Sequence, residues 1–329
     1  MARALGTCEI VTGGAYTHVA TIASIPNVSG DRSYRNGVAD LTCSLRVREP
    51  DISLVGTIVA MAGGGGGGLF GALSNTETNV LVPARAAGWR TVECAWADPS
   101  PLSNTGNAFS GTQGPLALAA RSATLYQGIH DESSLYTAGK PYVLLGQSGG
   151  SSQVAYSLCH YGIDAITDLA IMCSGPPHAR IDFGLWGTHH VQWGSIYSTY
   201  RTVGGGLVVW TNSDLFIDYS YGQDQAGTGA NAPTVKKTLE GGPDNKAVND
   251  SVLNQTAQTR FPNTDLAFVF GDNDSSEACP YGRFFRAQVT GKSKTETITT
   301  GSVGHVDVPG SSSGSAAIMA ALNAATFNH

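Results

Sequence analysis

Ser148 is the residue around which a reaction can be drawn. It stands in Gly146-Gln147-Ser148-Gly149-Gly150, a G-x-S-x-G pattern. Tyr142 to Leu145, four apolar residues just before it, read as a short buried strand. Val154, Leu158 and Tyr161 follow at helical spacing until Gly162 ends the run. A strand, a sharp turn with Ser at its tip and a helix are the context in which a serine hydroxyl is presented as a nucleophile. The flanking glycines have a steric reason, because such a turn leaves no room for a Cβ between strand and helix. The helix N-terminus behind Ser148 favours a developing negative charge. A second match, Gly310-Ser311-Ser312-Ser313-Gly314, follows Pro309 rather than an apolar run and reads as a polar loop entering a helix.

A serine hydroxyl is a poor nucleophile and needs a base that titrates near neutrality, a role suited to His. His305 follows both a late strand and the acidic groups at that strand's end. Leu266 to Phe270 is that strand, and Gly271-Asp272-Asn273-Asp274 closes it. Asp274 and Asp272 are the candidate acids that would orient the imidazole; either could instead cap the next helix. His189-His190 is an alternative base, and His178 a weaker one. A glycine run, Gly63 to Gly68, follows a strand-like stretch from Leu54 to Met61. Its amides can turn toward an anion, so Gly64 and Gly65, with Gly149, are candidate oxyanion donors. A phosphate-binding loop would end in G-K-[ST], whereas Leu69-Phe70 follows Gly68. A flexible linker is the bland alternative.

The order Ser148, acid, His305, with the strand–turn–helix at Ser148, resembles the α/β-hydrolase superfamily. The resemblance runs from the strand before the glycine loop to the C-terminus. It implies an α/β fold with a mostly parallel sheet of about eight strands, helices on both faces and an insertion between the nucleophile and acid strands. It also implies Asp274 as the acid, since G-x-x-D is the spacing common in that superfamily. Two positions depart from lipase-type patterns. Ala62 stands where H-G-G-G has its His, and Gln147 where many lipases and cutinases have His. The implied activity is carboxylic-ester hydrolysis through an acyl-enzyme on Ser148, with no metal or organic cofactor. An acyltransferase or peptidase would use the same residues, and a binding protein could keep the scaffold without the activity.

The rest of the chain must position these residues. Residues 8–48 read as β structure, with Val19 to Ile22 and Leu41 to Val47 as strands. Cys8 and Cys43 either staple this region or are unrelated thiols. Strand–helix alternation over 54–177 predicts a parallel, doubly covered sheet. Three segments follow: 1–177 as β region and first core part, 178–262 as a cap-like insertion, and 263–329 as the remaining core. The insertion holds nine aromatics between Phe183 and Tyr221. Trp186 and Trp193, with Gln147, are candidate substrate-pocket residues, which would suit aromatic esters or polyesters. The aromatics could instead form a small core of the insertion's own.

Composition bounds the partners. Across 329 residues the net charge is −6 and Lys occurs six times, which speaks against nucleic acid. No apolar run is long enough to span a bilayer. The expected partner is a small-molecule or polymeric ester, and the expected state a monomer. Six cysteines without C-x-x-C argue against a zinc ribbon and are compatible with disulfides in a secreted protein. Met1 to Gly6 has no apolar core to follow, so secretion implies a signal already removed. Asn27, Asn249, Asn254 and Asn273 head N-x-S/T sequons.

Overall fold

The computed structural model describes residues 2–14, 16–26, 38–97, 107–111, 113–181, 195, 198–202, 220, 246–325 and 327. Trp186, Trp193, His189, His190, Asn27 and, of the nine aromatics from Phe183 to Tyr221, all but Tyr200 lie outside the described residues.

In chain order the main strands are Thr7–Thr12 (β1), His18–Ala23 (β2), Leu41–Arg48 (β3), Gly56–Met61 (β4), Trp89–Trp96 (β5), Tyr142–Gln147 (β6), Leu169–Cys173 (β7), Asp265–Phe270 (β8) and Lys294–Ile298 (β9). They form one sheet in the order β1-β2-β3-β5-β4-β6-β7-β8-β9. From β5 to β9 every neighbouring pair is parallel. The pairs β1–β2, β2–β3 and β3–β5 are antiparallel. Among the described residues the sheet thus has nine strands, in keeping with the expected size of about eight.

The central strands are apolar on both faces, as a parallel sheet between helix layers requires. Alternate side chains go to opposite cores. Val59, Met61, Leu144, Met172 and Phe268 join one cluster, while Ile58, Ala60, Leu145, Ile171 and Val269 join the other. The first face is covered by helices Ala120–Asp131 (α2), Gly149–Tyr161 (α3) and Ala278–Gln288 (α4) through residues such as Leu125, Val154 and Phe285. The second is covered by Val82–Ala86 (α1), entered through a wider helical turn over Glu77–Leu81, and by Ser312–Ala324 (α5). Ser311 caps α5 by accepting from the Gly314 N–H at 3.0 Å. Among the described residues no helix is long and apolar enough to cross a membrane.

Of the two readings of Cys8 and Cys43, unrelated thiols is the one that holds: all six cysteines are free. Sheet register supplies the reason. Cys8 pairs with Ile22 and Cys43 with Ala20, so β2 lies between their strands. Two strand spacings put their Cα atoms roughly 10 Å apart, beyond the reach of about 7 Å for a disulfide.

One ion network ties the antiparallel edge to the glycine loop. Glu93 on β5 is fully buried. It accepts from Arg46 Nε at 2.6 Å, Arg46 Nη2 at 2.8 Å and the Gly71 amide at 2.6 Å. Arg46, Arg48 and Arg85 also converge on Glu77. The carboxylate therefore pins the chain just after Gly68. Glu93→Ala should destabilise the fold by about 3–5 kcal/mol, because it leaves Arg46 with only its longer contact to Glu77 and the Gly71 amide without its acceptor. Urea denaturation at neutral pH measures this; an unchanged midpoint would show that the network does not hold the fold.

Candidate active site

The parallel strands β4, β6, β8 and β9 send their carboxyl ends to the same edge of the sheet, where ligands bind in open α/β folds. The elbow follows β6. Ser148 has φ 51° and ψ −116°, a conformation costly for any residue with a side chain. It is held from both sides: its N–H donates to the Cys173 carbonyl at 2.8 Å, and its carbonyl accepts from the Ser152 N–H at 3.2 Å. A Cβ on Gly146 would come within 2.5 Å of the Gly150 carbonyl, so strand and helix touch at the glycines. A Cβ on Gly149 would sit 1.8 Å from the Gly64 carbonyl oxygen, which presses the glycine loop against the elbow.

The glycine loop is a shaped turn. Gly66 N–H donates to the Gly63 carbonyl at 3.1 Å, Trp96 N–H to the Gly66 carbonyl at 2.9 Å, and Ala108 N–H to the Gly65 carbonyl at 3.0 Å. Buried Gln153 on α3 accepts from Trp96 Nε1 at 2.9 Å and from the Ser122 hydroxyl at 2.8 Å, fixing the strand against which the loop folds. Among the described residues the N–H groups of Gly64, Gly65 and Gly149 have no acceptor.

His305 reaches the elbow from the loop after β9. Its Nε2 lies 2.8 Å from Ser148 Oγ, and its Nδ1 lies 3.1 Å from Asp274 Oδ2. The Asp274 side chain is fully buried, whereas a quarter of the His305 side chain remains exposed. Ser276 joins them, with its hydroxyl 2.8 Å from His305 Nδ1 and 2.6 Å from Asp274 Oδ1. Gln147 is buried and donates from Nε2 to the His305 carbonyl at 3.2 Å.

No protein-family model and none of the curated proteins matches this sequence. Solved structures do. Alpha/beta hydrolase domain-containing protein 10 from mouse aligns over 96% of this chain and 97% of its own at 10% identity, with a TM-score of 0.50. The chain has the α/β-hydrolase fold. Est1E from Butyrivibrio proteoclasticus aligns over 86% of this chain and 94% of its own at 11% identity, with a TM-score of 0.49. Brefeldin A esterase, a bacterial homologue of human hormone-sensitive lipase, aligns over 97% of this chain and 76% of its own at 12% identity, with a TM-score of 0.47.

Within this α/β-hydrolase fold the two candidate acids separate. Asp272 accepts from the main-chain N–H of Val303 at 2.7 Å and of Ser302 at 3.0 Å. These bonds, Val303 first, hold its carboxyl below the usual range. Asp272 thus secures the loop that carries His305, and Asp274 faces the imidazole. Burial works against the Asp274 charge, but hydrogen bonds from His305 and Ser276 and the nearby imidazolium outweigh it, so its carboxyl is also held low. Burial likewise opposes an imidazolium at His305; the hydrogen bond and charge of Asp274, with Glu277 beyond, outweigh it and raise the ring above its ordinary value. His178 is elsewhere in a buried aromatic cluster with Phe109 and Tyr156, where burial lowers it to about 4.

Sequence reasoning passed over two groups here. Ser276 had a local signal, since Ser two residues after Asp is the spacing of an Asx-turn. Gln153 had none beyond its place on the nucleophile helix.

The opposing effects on His305 give a test. In an NMR titration the wild-type ring should change charge above about pH 6.5, the ordinary value. Asp274→Asn removes the outweighing charge, leaves burial dominant and should bring the transition below that value. Asp272→Asn leaves the partner in place and should keep it above. The reverse ranking would exchange the two acids.

Proposed function

We propose that this chain is a serine hydrolase that cleaves carboxylic esters through an acyl-enzyme on Ser148. The observation that carries the reading is the continuous hydrogen-bonded chain Ser148 Oγ, His305 Nε2, His305 Nδ1 and Asp274. In the first step His305 Nε2 takes the Ser148 proton as Oγ attacks the ester carbonyl carbon. The carbonyl π pair moves onto oxygen, and the oxyanion is met by the Gly149 N–H and by that of Gly64 or Gly65. Each such donor is worth roughly 3–4 kcal/mol in the transition state. The tetrahedral intermediate collapses as His305 returns the proton to the leaving alkoxide, and the alcohol departs. Water then attacks the acyl-enzyme with His305 again as base, giving the acid and free Ser148. Asp274 keeps Nδ1 protonated, so that Nε2 presents its lone pair to serine, and stabilises the imidazolium.

Transfer to an alcohol or cleavage of a peptide would share the acyl-enzyme and differ only in leaving group or acceptor. The preferred acyl group rests on the sequence alone, where the aromatics of 183–221 favour aromatic or polyester substrates.

The test is reaction with a fluorophosphonate probe, peptide mapping and turnover of p-nitrophenyl acetate. A single adduct on Ser148 is expected. Ser148→Ala should lose hydrolysis by about 10^5–10^6-fold without a change in melting temperature. Turnover near wild type in that variant would sink the assignment. The rate should climb with pH through the raised His305 transition, hence above about pH 6.5, because only the neutral ring accepts the proton. A rate already level below that pH would remove His305 as the base.

A further inference from the structure

Asp274 reaches His305 by two routes. One is direct, Oδ2 to Nδ1 at 3.1 Å. The other runs through the Ser276 hydroxyl, which lies closer to Nδ1, at 2.8 Å, and 2.6 Å from Asp274 Oδ1. The donors can be assigned by elimination. An ionised carboxylate only accepts, so the Ser276 O–H must donate to Oδ1. Its oxygen is then left to accept, and the group facing it is the Nδ1–H of His305. That proton is shared between Asp274 Oδ2 and Ser276 Oγ. The carboxylate needs no help from the hydroxyl to stay in place, because the Ser276 main-chain N–H also donates to Oδ1 at 3.0 Å.

We propose that Ser276 is a positioning residue for His305, a fourth member of the Ser148–His305–Asp274 chain that fixes the tautomer and the plane of the imidazole through its hydroxyl. This rests on the reading of Ser148 as nucleophile and His305 as base. Two acceptors on either side of Nδ1–H define the ring's orientation more tightly than one bond of 3.1 Å does. They keep the proton on Nδ1, so Nε2 stays an acceptor toward Ser148 Oγ, 2.8 Å away. When the ring becomes an imidazolium, the bond to the hydroxyl strengthens. The hydroxyl in turn donates more firmly to a carboxylate that is fully buried, where such bonds polarise one another. Nothing is transferred through Ser276: its proton stays on Oγ throughout.

The experiment reads nucleophile activation directly and needs no knowledge of the substrate. The second-order rate of fluorophosphonate labelling at Ser148 is measured for the wild type, Ser276→Ala, Ser276→Cys and Ser276→Thr. Failure of the wild type to label at Ser148 would fall on the proposed function rather than on Ser276. With a wild type that labels, Ser276→Ala should slow labelling by about 10–100-fold, the scale of an orienting partner one step from the reacting atoms. Ser276→Cys fills the same space with a weak donor and acceptor and should be slow as well, which covers an alanine variant that does not fold. Ser276→Thr retains the hydroxyl and should restore the rate to within about three-fold, by the same inventory of donors and acceptors. Labelling at the wild-type rate in the alanine or cysteine variant would overturn the proposal. So would equal slowing in the threonine variant, since the effect would then follow shape and not the hydroxyl.

Discussion

The turn at Ser148 is the constraint on which the site depends. Its φ of 51° and ψ of −116° are unfavourable for serine by about 1–3 kcal/mol. The turn persists because the sheet gives it no alternative. The Ser148 amide is bonded to the carbonyl of Cys173, the last residue of the neighbouring strand β7. The helix it opens is buried along its whole length. Relaxing the turn would drive Gly149 away from Gly64 and break the approach between elbow and glycine loop. The strain at one residue is thus balanced by the burial of an entire strand and helix.

The parallel arrangement then solves a problem of distance along the chain. Ser148 and His305 are 157 residues apart, yet their side chains meet at 2.8 Å. They meet because β6, β8 and β9 run in the same direction and end at one edge. β7 and β8 are separated by residues 174–264 along the chain, yet they are neighbours in the sheet, with Leu169 opposite Asp265. That register brings the acid loop beside the elbow whatever the intervening residues do. On the other side, Glu93 and Gln153 hold the glycine loop, the first through Gly71 and the second through Trp96.

What the sequence revealed follows from how local each signal is. The strands β4 and β6, the helix ending at Gly162 in a left-handed conformation, and the Ser311 cap all depend on near neighbours in the chain, and each could be read from spacing. The meeting of Ser148, His305 and one Asp was legible only as an order of residues supplied by a resemblance. The absent disulfide was not legible, because Cys8 and Cys43 are excluded from bonding by the strand between them, a fact of pairing order. Gln147 drew notice as a replaced His near a substrate; its observed contact is with the main chain of His305, a partner far away in sequence. Ser276 was similarly hidden, since its second contact spans 29 residues.

Asp272 and Asp274 show why position, not residue type, decides a role at such an edge. They are two residues apart in a loop, so their side chains diverge, and both carboxyls are held low. Their reasons differ. Asp272 is held by two main-chain amides of the His305 loop, groups that do not titrate near neutrality and stay put whatever the imidazole does. Its charge is spent on fixing a backbone. Asp274 has lost its water, and its charge survives burial only through His305 and Ser276. A carboxylate in that setting is stabilised most when the imidazole is charged, so its free energy changes in step with the proton on His305. The dielectric sharpens the contrast, because a charge pair away from water interacts several times more strongly than one at the surface. Coupling of that kind requires a buried acid facing the ring. A solvent-facing carboxylate two residues away, however well hydrogen-bonded, supplies the scaffold on which the coupling depends.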